Sequence, residues 1–329
     1  MRPVRFGLVG AGRIAQAYAQ ALQSTELVEM VGVVDVRGEA GSALAGQLGC
    51  PALTSHEALV DSVEAVLVCT PPASHPSIAV DFLGSGVHVM SEKPLANSID
   101  EAVKMVDAAN TSGALLTMAS KFRYVDDVVR AKSIMASGIL GEIILFENSF
   151  ASRVDMASRW NAQPSVSGGG VLIDNGTHSV DIARLFLGPI TAVMAAEGKR
   201  VQTVDVEDTV QLFLRSSGGA RATIDLSWSV DKERDNYIDI YGSEGTIRIG
   251  WKESKYRQMS SPNWVPFGSG YDKIGALRAQ VENFCGAIRG TEHLRITSRD
   301  ALASVEVVDA AYRSLEQDNW VPVMNGINV

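Results

Sequence analysis

The chain has 329 residues, 46% apolar and 20% charged, an ordinary globular composition with length enough for two domains and a sizeable buried core. Twenty-nine basic against 38 acidic residues give a net charge of −9, which argues against nucleic acid or an anionic membrane as the main partner, while leaving a pocket free to be locally basic. No apolar run reaches membrane-spanning length, the N-terminus lacks a signal-peptide pattern, and Cys50, Cys69 and Cys285 show no C-x-x-C spacing, so no zinc site or disulfide framework is indicated and a reducing, cytoplasmic setting is expected.

The first third alternates short apolar runs with helical patterns. Val4–Val9, Val28–Asp35, Ala65–Cys69, Val87–Ser91 and Leu115–Ser120 read as buried strands. Ile14–Ser24, Glu39–Leu48, His75–Ser85 and Ile99–Thr111 read as the helices between them. Continuous apolar strands alternating with helices predict a parallel, doubly wound sheet. After about Lys121 the texture changes. Ile143–Ser152, Thr191–Gly198, Val206–Ser216, Ala220–Ser229 and Tyr237–Tyr241 look like longer strands, joined by turns such as Ser217-Gly218-Gly219 and Gly242-Ser243-Glu244-Gly245. They predict a mostly antiparallel sheet with helices on one face. Helices are expected at Val171–Leu187, Ala276–Ile288 and Arg299–Leu315, and Trp251–Gly270 reads as a surface loop.

Gly10-Ala11-Gly12-Arg13-Ile14-Ala15 follows the first strand and opens the first helix. The first glycine permits a tight turn, the second lets backbone approach a pyrophosphate, and Ala15 allows close helix–strand packing. The helix start offers N–H groups and a positive dipole end to phosphates. Asp35 ends the second strand at the distance expected of a ribose 2′-hydroxyl acceptor. A carboxylate there favours NAD over NADP. Arg37, two residues on, could instead hold a 2′-phosphate or be a solvated helix-start residue.

Two further stretches carry chemistry. Ser91-Glu92-Lys93-Pro94 sits at the carboxyl end of the fourth strand, the edge where ligands bind in open α/β sheets. A lysine there can donate to a substrate hydroxyl, although an isolated Lys-Pro would more often be a solvated surface feature. The second stretch runs from Gly168-Gly169-Gly170 to Asp174, His178 and Asp181. On a helix from Val171, Asp174 and His178 are four apart and share a face. A carboxylate beside an imidazole fixes its tautomer, which suits a base that takes a hydroxyl proton as hydride leaves the same carbon. A lone histidine is more often structural; glycines and a carboxylate beside it weigh against that. Asp181 is either a second orienting group or a helix-surface acid.

These motifs, with Thr70-Pro71…His75 and Tyr241-Gly242-Ser243-Glu244-Gly245, occur in an order that resembles the glucose–fructose oxidoreductase / inositol dehydrogenase / rhizopine catabolism (Gfo/Idh/MocA) family over essentially the whole chain. The resemblance implies a Rossmann dinucleotide-binding domain over 1–122. It also implies a larger α/β domain over 123–329, which binds substrate and oligomerises through its open sheet as a homodimer or homotetramer. It implies that Lys93 lies at the nicotinamide and contacts the reacting oxygen, with Asp174 and His178 completing the catalytic set, and that the Lys93–Pro94 bond is cis. Gly10, Gly12, Arg13, Ile14, Asp35 and Arg37 would hold the dinucleotide. Thr70, Pro71 and His75 would border its ribose with Glu92 nearby, unless His75 is only a helix-start residue.

The family pattern has an apolar residue after the aspartate. Asn175 stands there in this chain, which leaves the helix start open and puts an amide within reach of the pocket. Arg123 would hold a substrate oxygen or brace the junction of the domains. Arg153, Trp160 and Tyr237 are weaker pocket candidates, since core packing is the commoner use of an aromatic. The implied activity is NAD(P)-dependent hydride transfer at a secondary alcohol or ketone of a sugar, inositol or sugar derivative. A non-catalytic dinucleotide-binding regulator is the alternative from another class, disfavoured because the lysine and histidine are both present. A dehydrogenase of a non-carbohydrate diol is the third.

Overall fold

The computed structural model describes residues 2–324; Met1 and the last five residues of the expected second domain lie outside it. The described chain forms two compact units. Of the described residues, the first comprises 2–124 together with 273–302, the second 125–272 together with 303–324.

In the first unit, β1 (Val4–Val9), α1 (Arg13–Gln23), β2 (Val28–Val34), α2 (Gly38–Leu48) and the short β3 (Ala52–Leu53) run in sequence. They are followed by β4 (Ala65–Val68), α3 (His75–Gly84), β5 (His88–Glu92), α4 (Ile99–Ser112) and β6 (Leu116–Ala119). All six strands pair in parallel in the order β3-β2-β1-β4-β5-β6. The chain winds outward one way from β1 and then the other way from β4, so the strand order reverses between them. The carboxyl ends of those two strands are where such a sheet opens a ligand crevice. α4 begins at a serine cap, with the Ser98 hydroxyl accepting from the Glu101 amide, as N-cap chemistry prescribes.

The second unit begins with α5 (Asp126–Ala136), β7 (Ile143–Ala151), the single-turn α6 (Pro164–Ser167) and α7 (Val171–Leu187). It continues through β8 (Ile190–Glu197), β9 (Thr209–Ser216), β10 (Arg221–Ser227), β11 (Asn236–Gly242), β12 (Gly245–Gly250), β13 (Ser254–Gln258) and β14 (Val265–Gly268). α8 (Lys273–Ile288), α9 (Ser298–Gln317) and β15 (Val321–Pro322) close the chain. The nine strands order as β14-β13-β12-β11-β7-β10-β9-β8-β15, antiparallel except where β10 meets β7. α7 lies on one face of this sheet: Phe186 packs on Phe146, and Gly176 rests against Leu226. In β9 the burial alternates, with Val210, Leu212 and Leu214 buried and Gln211, Phe213 and Arg215 exposed, as the two-residue period of a one-sided sheet requires.

Three expectations change. A single cut at 122/123 divides the chain but not the units, because α8 returns to the first one. Leu277, Val281, Phe284 and Cys285 join the core around Phe6, Leu8 and Tyr18, with Phe284 edge-on to Phe6. Trp251–Gly270 is not a plain loop, since β13 and β14 extend the sheet there. Their sequences carry too few apolar residues for a strand pattern to show. The strand expected from Val206 begins only at Thr209, because Glu207 and Asp208 bond outside the ladder. No helix among the described residues is long and apolar enough to cross a membrane.

Candidate active site

Gly10 leaves β1 with φ +98°, and its amide donates to the Val34 carbonyl at 2.7 Å. A Cβ there would lie 2.8 Å from the backbone carbon and oxygen of Cys69, at the end of β4. Only glycine fits both conditions. Gly12 differs. It caps α1 without a side-chain hydrogen bond, and a Cβ on it would meet nothing within 4 Å. The open space beside Gly12 lies at the strand-order reversal, where the start of α1 supplies amides without intrahelical acceptors, a cradle that fits a pyrophosphate. Arg13 is exposed and Ile14 half-buried at the helix start.

Asp35 closes the other side of the cradle. Its carboxylate accepts from the Ala11 amide at 2.6 Å and the Arg37 amide at 2.7 Å, and the Arg37 guanidinium donates to it at 3.2 and 3.3 Å. Burial alone would raise the Asp35 pKa. The Arg37 guanidinium and the two amides outweigh it, so the pKa is lowered. Arg37 is thus committed to the carboxylate in this structure, its side chain otherwise 65% exposed.

Thr70 and Pro71 are half-buried after β4. His75 is fully buried, with Nδ1 2.9 Å from the Pro94 carbonyl and Nε2 2.8 Å from the Thr70 carbonyl. Burial pushes its imidazole below the ordinary range. It therefore braces the Thr70 and Lys93–Pro94 segments from behind. The Lys93–Pro94 peptide is cis, and Lys93 itself is half-buried. Its amide donates to Glu92 Oε2 at 3.1 Å. Glu92 also accepts from the Tyr18 hydroxyl; burial raises its pKa against the opposing charges of Lys93 and Lys121. Gln280 reaches the Tyr18 hydroxyl and Met90 Sδ, both at 3.4 Å. Tyr18 and Gln280 escaped the sequence reading, because nothing local marks a residue 262 positions away as a neighbour.

Arg123 is buried. Its guanidinium donates to the Arg295 carbonyl at 3.2 Å and stands 3.9 Å from Asp300. Beside it Tyr124 donates to Asn283 at 3.1 Å. Both contacts brace the first unit.

In the second unit α7 begins at Val171 despite Asn175, which lies a full turn inside it. Asp174 and Asn175 are half-buried and His178 is 6% exposed. Asn175 Nδ2 donates to the Phe150 carbonyl at 3.4 Å, so this amide is tied to β7. Asp181 is fully buried, 3.5 Å from the Ser304 hydroxyl, and is no surface acid. Tyr237 is 1% exposed and packs on Phe150, Trp251 and Tyr271; burial pushes its phenol far up. That is a core position. Arg153 and Trp160 are exposed on the irregular segment between β7 and α6. Among the described residues no cluster of His, Cys, Asp and Glu could hold a metal ion.

Residues 4–120 match the model of an oxidoreductase family with an NAD-binding Rossmann fold, and residues 128–248 match the Gfo/Idh/MocA C-terminal domain. The chain belongs to the Gfo/Idh/MocA oxidoreductase family. Among its relatives, inositol 2-dehydrogenase of Rhizobium meliloti is 26% identical, the match covering 97% of this chain and 99% of that protein. The NADP(+)-named D-xylose 1-dehydrogenase 2 of Haloferax volcanii is 28% identical over 94% and 97%. A solved levoglucosan dehydrogenase, in complex with NADH and levoglucosan, shares the fold at TM-score 0.91 and 22% identity, covering 99% of this chain and all of that one. Both units thus belong to the family's architecture.

Proposed function

We propose that this family member oxidises or reduces a secondary alcohol or ketone of a sugar, inositol or sugar derivative, using NAD in preference to NADP. The observation that carries the reading is the cradle between β1 and β4. Gly10 gives close backbone approach, Gly12 faces open space, and the Asp35 carboxylate stands beside them. The backbone of 10–14 with Asp35, Thr70 and Pro71 would hold the dinucleotide, which when bound supplies the hydride-accepting ring.

The chain's own groups do the rest. His178 takes the hydroxyl proton, and Asp174, one helical turn before it, holds the imidazole in the accepting tautomer. Lys93 donates to the same substrate oxygen and stabilises the negative charge that develops there. In the reducing direction Lys93 polarises the carbonyl and His178 returns the proton. The names of the relatives, acting on inositol and D-xylose, support the substrate class. Leu145 and Phe213, 46% and 41% exposed on the sheet face opposite α7, support a homodimer or homotetramer built on that face.

The test is nicotinamide reduction against a panel of myo-inositol, D-xylose and levoglucosan with each cofactor. His178→Ala is expected to lower turnover by about 10²–10⁴-fold with cofactor affinity unchanged. Full turnover in that variant would remove His178 from the mechanism. Inactivity of the wild type on all three sugars, with tight cofactor binding, would favour the regulator reading instead.

A further inference from the structure

The first turn of α7 presents a problem that its own sequence does not solve. A helix start leaves up to four amides without intrahelical acceptors, and the capping position is Gly170, which has no side chain to offer. One residue from the β8–β9 connection answers. Glu207 Oε1 accepts from the Gly170 amide at 2.9 Å and the Leu172 amide at 3.1 Å, while the Glu207 carbonyl accepts from the Val171 amide at 2.9 Å. Three consecutive amides are thus satisfied by one side chain and its own backbone, and a carboxylate at a helix start is also favoured by the dipole.

Tyr312 of α9 completes the clamp by donating to the same Oε1 at 2.8 Å. Glu207 is 6% exposed. The neighbouring Asp208 holds the connection in place, its Oδ2 accepting from the Val201 and Gln202 amides at 2.9 Å each and from the Ser229 hydroxyl at 2.7 Å. The glycine run before α7 fits the same device. Any side chain at Gly169 would collide with the Tyr312 hydroxyl, and any at Gly170 with the Glu207 carbonyl.

We propose that Glu207 and Tyr312 are positioning residues that set the register and rotation of α7, and through it the direction of Asp174 and His178. The inference rests on the catalytic reading of those two residues. Asp174 follows the clamped turn directly, its amide making the helical bond to the Gly170 carbonyl at 3.0 Å. A slip of one residue in the first turn would rotate the face carrying Asp174 and His178 by about 100°.

Hydrogen exchange of amides 170–174 and the imidazole NMR signals of His178, measured on the substrate-free full chain, test the proposal directly. Glu207→Ala is expected to speed exchange in this turn at least tenfold and to move the His178 signals. Glu207→Gln, which keeps an acceptor oxygen, restores both, and Tyr312→Phe gives a smaller change in the same direction. Wild-type exchange and signals in Glu207→Ala would overturn the proposal. If that variant does not fold, Tyr312→Phe decides, and an unchanged His178 signal in it overturns the proposal equally. Turnover separates the inference from the reading beneath it. An active His178→Ala removes the catalytic assignment, whereas an inactive His178→Ala beside a Glu207→Ala with wild-type kcat removes the positioning role.

Discussion

Gly10 and Gly12 stand two residues apart in one motif, yet the structure assigns them different work, and alanine at each position separates the two. At Gly10 the backbone holds φ +98°, which costs an L-residue about 1–3 kcal/mol. The added methyl would also sit 2.8 Å from the Cys69 carbon and oxygen and 3.0 Å from the Thr70 nitrogen. These are backbone atoms of a strand end that cannot rotate away, so overpacking adds roughly 1–3 kcal/mol. Gly10→Ala should therefore lose about 2–6 kcal/mol, which for a unit of this size lowers Tm by roughly 4–24 °C.

At Gly12 φ is −76° and a Cβ meets nothing. The loss of a tolerated capping glycine, a few tenths of a kcal/mol to about 1, is offset by a similar gain from a stiffer unfolded chain. Gly12→Ala should melt within a few degrees of wild type but bind NAD at least tenfold more weakly, because the methyl fills the space left for phosphate. Thermal unfolding of the cofactor-free protein and fluorescence titration with NADH read the two effects separately. A Gly10→Ala protein as stable as wild type, or a Gly12→Ala protein that loses stability and keeps its affinity, would refute the reasoning.

Other substitutions probe neighbouring groups. Asp35→Ala releases the Arg37 guanidinium from its carboxylate partner, so the ratio of NADP to NAD efficiency should rise at least tenfold; an unchanged ratio would show that neither residue reads the ribose. Glu64 is held by Arg289 at 2.9 and 3.2 Å, and this bond lowers its pKa from 4.5 to about 2. The folded pKa lies below the unfolded one, so the pair contributes fully above about pH 4.5 and is lost as pH falls toward 2. The full shift would amount to about 3 kcal/mol, which partial exposure reduces to roughly 1–2 kcal/mol. Arg289→Met, which also frees the Arg2 and Pro3 carbonyls, should lower neutral-pH stability by at least that much and flatten the acid limb of the urea midpoint against pH. An acid limb as steep as wild type would contradict the assignment.

Local rules account for what was legible in the chain. The parallel sheet follows from apolar runs whose residues are buried on both faces, and α7 was readable because Val171–Leu187 has a helical apolar period behind a glycine run, with only its start left open by Asn175. The glycine turn was legible because the positive φ at Gly10 is a local demand, whereas the close approach to Cys69 that also requires glycine is not. Strands β13 and β14 were not legible, since an edge of the sheet exposed to solvent does not impose an apolar pattern. Tyr237 looked available for a ligand because an aromatic residue gives no sign of which neighbours cover it; Phe150, Trp251 and Tyr271 do so.

The sequence by itself determined the family, the alternating strands and helices of the parallel sheet, the glycine turn at Gly10–Ala15, and the placement of Asp174 and His178 on one helix face. Each of these depends on residues close together in the chain. Only the tertiary structure decided that Arg37 is spent on Asp35, that His75 is a buried brace, that 273–302 belongs with the first unit, and that Glu207 and Tyr312 grip the start of α7. Those outcomes are hydrogen bonds and packing contacts, several of them between residues tens to hundreds of positions apart. Which side chains meet is set by the register in which the elements pack, and no local pattern encodes that register.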